Sequence, residues 1–309
     1  MTLQQIHYTI VISETGSMNK AAEQLYISQP SLTNAIKELE KELGIIIFNR
    51  GGKGVSLTAD GTEFLIYARQ LYQQYENLQE KYSGGKIKRK FGVSAQHYSF
   101  AVQAFVEMVK EYDTCEYEFA IRETNTADVI KDVLTLKSEI GILYLSGFNR
   151  QVITKLLQSN NLEFHHLIDC DVYAYLWKEH PLAEKDFVSM QDLENYPCLT
   201  FEQGDKSSFY FAEEIFNTSD YARVIKAVDR STMLNLMKGL NGYTFCSGII
   251  CGNLNGSDYT AVPLKNQTDS MEIGYIKRKN IILSDIGMVY MKKLQEFFDE
   301  SRIGYSFNL

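Results

Sequence analysis

The sequence predicts a mainly helical N-terminal part joined to a larger α/β part. Three observations lead there. At 309 residues the chain is long enough for about two domains. Helical apolar spacing dominates the first ninety residues, whereas strand-like and helix-like stretches alternate from Phe91 onward. Charge divides at the same place: residues 1–91 carry 11 Lys/Arg against 9 Asp/Glu, and residues 92–309 carry 20 against 30. The whole-chain balance of −8 argues against a nucleic-acid partner only if charge is evenly spread, and it is not.

Composition narrows the classes further. With 45% hydrophobic and 23% charged residues the chain is too apolar for disorder. The five cysteines (115, 170, 198, 246 and 251) are an odd number without a dense framework, so a secreted disulfide scaffold is not expected. Cys246 and Cys251 match neither a CxxC redox pair nor half of a zinc site, and read as buried thiols. No basic residue precedes Lys20, which does not fit a signal peptide, and no apolar run approaches the roughly 20 residues that cross a bilayer. A soluble, cytoplasmic protein is expected.

Element by element, Leu3, Ile6, Ile10 and Val11 keep helical spacing behind Thr2 as N-cap. Gly16-Ser17 breaks and recaps the chain, and Ala21, Ala22 and Leu25 form a short second helix. Tyr26-Ile27 makes a turn, Ser28 is the next cap, and Pro30 sits in a first turn, where its missing N–H does no harm. Leu32, Ile36, Leu39 and Leu43 then form one apolar stripe, with Ser31, Thr33, Asn34 and Lys37 opposite and Gly44 as the stop. Such a trio is a helix-turn-helix whose third helix offers short polar groups to a major groove. A generic three-helix bundle fits the same pattern. Ile45-Ile46-Ile47-Phe48, a Gly-rich turn with Arg50 and Lys53, and Val55-Ser56-Leu57 read as a basic β-hairpin, or wing, beside it.

These stretches together resemble the DNA-binding domain of LysR-type transcriptional regulators. The matching residues are Gly16-Ser17, Ala21-Ala22-Glu23-Gln24-Leu25, Ser28-Gln29-Pro30-Ser31-Leu32, Ile36 to Glu40 with Leu43-Gly44, Phe48-Asn49-Arg50, and Leu57 to Gly61. The resemblance implies DNA contacts from Ser17, Ser28, Gln29, Pro30, Ser31, Thr33, Asn34, Lys37, Arg50 and Lys53. Thr33 and Asn34 stand where the family usually has Ser and Arg, and Gly51 to Gly54 leave the wing with fewer basic residues than usual.

From Thr58 a long helix follows, with Phe64, Ala68, Leu71, Tyr75, Leu78 and Tyr82 at alternating spacings of four and three. This heptad seam fits pairing with a second copy, although a single-domain core can use such a stripe. In the resembled family it is the linker helix that dimerises the DNA-binding domains, so an imperfect inverted repeat is the expected site. Ser83-Gly84-Gly85 and the basic run Lys86, Lys88, Arg89 and Lys90 mark the boundary, unless the run is simply solvated linker. The expected domains are 1–58, a linker at 59–87, and 88–309.

Beyond it, strands are expected at Phe91–Ser94, Tyr117–Arg122, Ile140–Leu145, Leu167–Trp177, Leu199–Phe201, Val224–Val228, Tyr243–Cys246 and Met271–Lys277. Helices are expected at Phe100–Tyr112, Ala127–Leu136, near Tyr210–Phe216, Thr232–Leu240 and Asp285–Phe298. The alternation argues for largely parallel sheets. His180-Pro181-Leu182-Ala183, Leu193–Leu199 and Gly239–Gly248 resemble the effector-binding domain of the same regulators. That resemblance implies two periplasmic-binding-protein-like lobes around a cleft, at about 88–164 with 267–309 and at about 165–266. The chain is expected to cross between them near Glu163–Leu167 and Leu264–Ser270.

Ligands in such sheets sit at strand C-termini. The candidates are Ser94, Ala95, Gln96, His97, Thr124, Asn125, Ser146, Thr200, Phe201 and Glu202, with Ser231, Ser247 and Gly248 by resemblance; Ser94, Gln96 and Thr200 lead. A small polar or carboxylate-bearing metabolite held by backbone N–H groups is expected, Arg230 being the one available cation clamp. No catalytic motif is present: no GxSxG, phosphate loop, GxGxxG after a strand, or HExxH. Ser94 with His97 lacks an identifiable acid, and His165-His166 point to opposite strand faces and cannot share a metal. No cofactor and no enzymatic activity are expected. DNA, an effector and a second copy of the chain are the expected partners, and the resemblance further implies a homotetramer and contact with RNA polymerase.

Overall fold

The computed structural model describes residues 1–51, 54–83, 89–113, 116–203, 209–216, 221–252, 254, 256–265 and 269–304. They form two compact units, residues 1–88 and 89–309.

In the first unit, α1 (Leu3–Thr15) starts with a capping box on Thr2 and ends at Gly16, whose φ of 62° is left-handed. Ser17 caps α2 (Met18–Gln24), and Ser28 caps α3 (Gln29–Leu43), with Gly44 as the left-handed stop. Leu32, Ile36 and Leu39 lie fully buried against Ile12, Ala21 and Ile47. The wing is shorter than the apolar run suggests: β1 (Phe48–Gly51) pairs antiparallel with β2 (Gly54–Leu57). Ile45–Ile47 stay outside the hairpin, because the Glu40 carboxylate takes the Ile47 and Phe48 N–H groups and the Ile47 carbonyl receives the Thr58 N–H. Lys53 lies outside the described residues, as do Lys86 and Lys88. α4 (Ala59–Ser83) follows, 25 residues or about 37 Å long. Gly61 lets it touch the core: a Cβ there would lie 2.0 Å from the Ile47 carbonyl oxygen.

The second unit has two lobes. β3 (Arg89–Ala95), α5 (Ser99–Lys110), β4 (Tyr117–Glu123), α6 (Thr126–Leu134), β5 (Ile140–Leu145), α7 (Arg150–Ser159) and β6 (Leu162–Cys170) build lobe I. Lobe II holds β7 (Tyr173–Trp177), α8 (Met190–Leu193), β8 (Cys198–Phe201), β9 (Val224–Ala227), α9 (Arg230–Leu240), β10 (Thr244–Cys246) and β11 (Tyr259–Pro263). The chain then returns to lobe I through β12 (Met271–Arg278) and α10 (Asp285–Gly304). Lobe I has the sheet order β4-β3-β5-β12-β6 around a core that includes Val93, Ile140, Ile142 and Ile273. Lobe II has an antiparallel β10-β7-β11 sheet and a parallel β8-β9 pair.

Three expectations change. The sheets are mixed, because β12 runs antiparallel to both β5 and β6. The stretch expected as one strand over Leu167–Trp177 is two strands of different lobes. All of β6 pairs with β12, so the chain crosses at 170–173 rather than at Glu163–Leu167. That pairing needs Gly274 at its bulge, where a Cβ would fall 2.2 Å from the Phe164 ring and 2.4 Å from the His165 carbonyl. Finally, the helix expected near Tyr210–Phe216 is a single 3-10 turn at Phe209–Phe211. Its neighbours make tertiary contacts instead: the Ala212 carbonyl accepts from Tyr144 Oη, and Tyr210 stacks on Phe148 of lobe I. The return crossing falls between β11 and β12.

Candidate functional site

On the first unit, the outer face of α3 presents Gln29, Pro30, Ser31, Asn34 and Lys37 to solvent, with Thr33 half-buried. The apolar stripe of Leu32, Ile36 and Leu39 orients this face by fixing the helix against α1 and α2. Ser17 and Ser28 accept from the N–H groups of Lys20 and Ser31, so both are helix N-caps. Gln29 Nε2 donates to Thr33 Oγ1 at 2.8 Å, which leaves Asn34 and Lys37 as the long polar groups projecting from the middle of the face. Arg50 lies on β1.

The seam on α4 divides. Phe64 packs against the unit's core, and Ala68 is buried together with Leu65. His7 of α1 stacks on Tyr72 with ring centroids 4.7 Å apart. Farther along, Leu71 and Leu78 are 47% and 57% exposed, and Tyr75 is half-exposed. Tyr82 lies in the last turn of α4.

In the second unit, a cavity of about 90 Å³ lies between the lobes, walled by Gln96, His97, Phe201, Glu213, Glu214 and Thr244, with Met233, Leu234, Ile249 and Met271 as its apolar part. Lobe I supplies the turn after β3. Gln96 is locked in place: its Oε1 accepts from Tyr144 N–H at 3.0 Å and Tyr98 Oη at 3.1 Å, and its Nε2 donates to Thr126. His97 Nδ1 lies 2.7 Å from Glu213 Oε2, and its ring stacks on Phe201 at 3.6 Å and 3°. The other oxygen of Glu213 accepts from Gln203 at 3.1 Å, so this carboxylate is fully partnered.

Glu214 is different. One oxygen accepts from Phe201 N–H at 2.8 Å, and Oε2 has no partner among the described residues; nor does Thr244 Oγ1 on the same wall. Burial and the neighbouring Glu213 charge push the Glu214 carboxyl up to about 8. Arg230, at the start of α9, is engaged across the cleft by the Glu123 carboxylate of lobe I. Among the described residues the lobes are thus joined by an ion pair and a His–carboxylate pair, beside the Tyr144–Ala212 hydrogen bond and the Tyr210–Phe148 stack.

Of the strand-end candidates, Gln96, His97, Phe201 and Ser247 reach the cavity. Ser94 does not: it sits inside β3, and its hydroxyl bonds Asp132 Oδ2 at 2.7 Å and Ser138 Oγ at 2.8 Å on the side away from the cleft. His97 therefore has an acid partner, but Ser94 is not beside it. Ala95 and Thr200 are buried within their strands. Asn125 caps α6, and Thr124 faces a separate shallow hollow with Lys131 and Lys137. Ser146 takes part in the turn into α7 by donating its N–H to Asn149. Glu202 and Ser231 are exposed, and Gly248 packs on Tyr173.

Glu213, Glu214, Tyr175 and Thr244 were not among the residues the sequence singled out. Only the adjacent acids in an otherwise aromatic stretch could have flagged the first two. Burial pushes the thiols of Cys170, Cys198 and Cys246 up to about 12, the opposite of a thiolate poised for oxidation. His165 stacks on Tyr275, and no cluster that could hold a metal occurs among the described residues. None of the described helices is long and apolar enough to cross a membrane.

Residues 3–62 match the family model of the bacterial regulatory helix-turn-helix protein, lysR family, and residues 115–285 match the LysR substrate binding domain. YbhD of Escherichia coli K12, an uncharacterized HTH-type transcriptional regulator, is 24% identical over 286 residues, covering 89% of this chain and 85% of YbhD. The HTH-type transcriptional regulator AlsR of Bacillus subtilis 168 is 29% identical over 205 residues, 65% of this chain and 64% of AlsR. Among solved structures, a full-length variant of OxyR from Pseudomonas aeruginosa shares the fold at a TM-score of 0.62 and 17% identity, covering 96% of this chain and 98% of that one. With both models matched in order along its length, the chain belongs to the LysR family of bacterial regulatory helix-turn-helix proteins.

Proposed function

We propose that the chain is a DNA-binding transcriptional regulator whose operator binding or bending responds to a small molecule held between the lobes of residues 89–309. The observation that carries this is the cleft itself: His97 with Glu213 and Arg230 with Glu123 span it around a walled cavity. A ligand that favours one lobe arrangement shifts the population toward it, and any DNA geometry tied to that arrangement shifts too. Gln29, Pro30, Ser31, Thr33, Asn34, Lys37, Arg50 and Lys53 are assigned to DNA, with Ser17 and Ser28 offering helix N-termini to phosphate. Leu71, Tyr75, Leu78 and Tyr82 pair two copies, which sets two recognition helices on an imperfect inverted repeat; a homotetramer and contact with RNA polymerase follow in this reading. The protein works in the cytoplasm and catalyses no reaction.

Footprinting of the DNA upstream of its own gene, with and without cell-extract metabolites, tests this. A protected inverted repeat whose pattern changes with a metabolite is expected. A chain that protects no DNA but turns over a metabolite would instead be an enzyme carrying a vestigial helix-turn-helix.

A further inference from the structure

The interlobe cavity holds one acid with no cation of its own. Arg230 is held by Glu123, Glu213 is occupied by His97 and Gln203, and Glu214 keeps one buried oxygen without a partner among the described residues. Thr244, which also lines the cavity, has a second buried oxygen without one, Oγ1. Once Glu214 has lost its proton, a carboxylate-bearing ligand would meet it with like charge in a site that excludes water, where repulsion is strong. Phe201, Tyr98 and Tyr175 add aromatic rings, and Met233, Leu234 and Met271 line the remainder.

We propose that the effector of this cleft is a small organic primary ammonium that draws Glu214 Oε2 and Thr244 Oγ1, both closed off from the cavity's open space as the side chains stand, into hydrogen bonds with its N–H groups, its short apolar body lying against Met233, Leu234 and Met271. The size follows from the cavity: about 90 Å³ is well below the ~300 Å³ at which drug-sized sites begin, so a ligand of few non-hydrogen atoms fills it. This inference rests on reading the cleft as the effector site.

The charge it needs comes from Glu214 losing its proton. Glu213 on the same segment, Tyr98, Tyr144 of β5 and Cys198 of β8 act on this carboxyl, and His97 and Arg230 complete the wall. Burial holds Tyr98, Tyr144 and Cys198 neutral well past pH 8, and the charge on Arg230 is fixed. Proton loss from Glu214 therefore makes amine binding tighten by close to tenfold per pH unit from 6 toward 8.

The test is calorimetry and thermal shift on the full chain with n-butylamine, n-butanol and butyrate as matched probes, from pH 6 to 8.5. Butylamine is expected to bind and stabilise, tightening with pH, while butyrate does not. Glu214→Gln should weaken butylamine at least tenfold and flatten its pH dependence, and Thr244→Val should weaken it without flattening. Butyrate binding as well as butylamine, or an affinity unchanged in both variants, overturns the proposal. The two readings separate cleanly. Amine binding with an unaltered footprint leaves the amine site standing and sinks the regulatory reading, whereas a footprint altered only by anions does the reverse.

Discussion

Replacing Glu214 by Gln should stabilise the second unit by an amount that depends on pH. The carboxyl is enclosed, and burial with the Glu213 charge lifts it from 4.5 to about 8. Between those values the folded chain keeps a proton that the unfolded chain has lost, so stability falls as pH rises through the window and levels off above it; below about 4.5 the group imposes no penalty. At about 1.4 kcal/mol per pH unit the penalty reaches on the order of 3 kcal/mol at pH 7 and about 5 kcal/mol above pH 8. Gln cannot ionise, yet its amide oxygen still accepts from Phe201 N–H. The difference between variant and parent should therefore be near zero at pH 4.5 and widen with pH. For a unit of this length, 3 kcal/mol corresponds to roughly 6–12 °C in Tm. The chain's one tryptophan, Trp177, lies on β7, so fluorescence melts at pH 5, 6, 7 and 8 report on this unit. Parallel pH profiles for the two proteins would refute the reasoning, because they would mean that Glu214 is ionised in the fold at no cost. A stabilised variant that no longer responds to ligand is the trade expected of a strained binding residue.

Other substitutions probe the first unit. Gly61→Ala forces a Cβ to 2.0 Å from the Ile47 carbonyl, backbone that no rotamer change can relieve, and should cost about 3 kcal/mol in a urea melt of that unit. Leu71→Asp lies at an exposed position and should leave the fold intact while shifting sedimentation toward the monomer; an unchanged profile counts against the seam. Asn34→Ala should lose about 1–3 kcal/mol of discrimination between operator and random DNA in competition binding, whereas equal losses on both would reassign Asn34 to phosphate.

Local rules made much of the fold legible in the sequence. Thr2, Ser17 and Ser28 as caps, Gly16 and Gly44 as stops, and Leu32, Ile36 and Leu39 as a buried stripe each follow from groups a few residues apart. The charge split works the same way, turning an overall −8 into a near-neutral first part and an acidic second. β6 was placed in the wrong lobe because Leu167–Trp177 is continuously strand-like, and only its partner, β12, more than a hundred residues away, assigns its first half to lobe I.

The site divides along the same line. That strand ends should face a cleft is a property of α/β architecture, and it led to Gln96, His97 and Phe201. Whether a given hydroxyl enters the cleft depends on a helix across the sheet, and Asp132 of α6 takes Ser94 away. The sequence by itself determined the helix-turn-helix, the linker helix and the two-part charge, because short-range periodicity and capping encode them. Only the tertiary structure decided which side chains wall the cleft. Glu213 and Glu214 lie on an irregular segment with no periodicity of its own, and their burial, their partners Phe201, Gln203 and His97, and the orphaned oxygen exist only in the folded second unit.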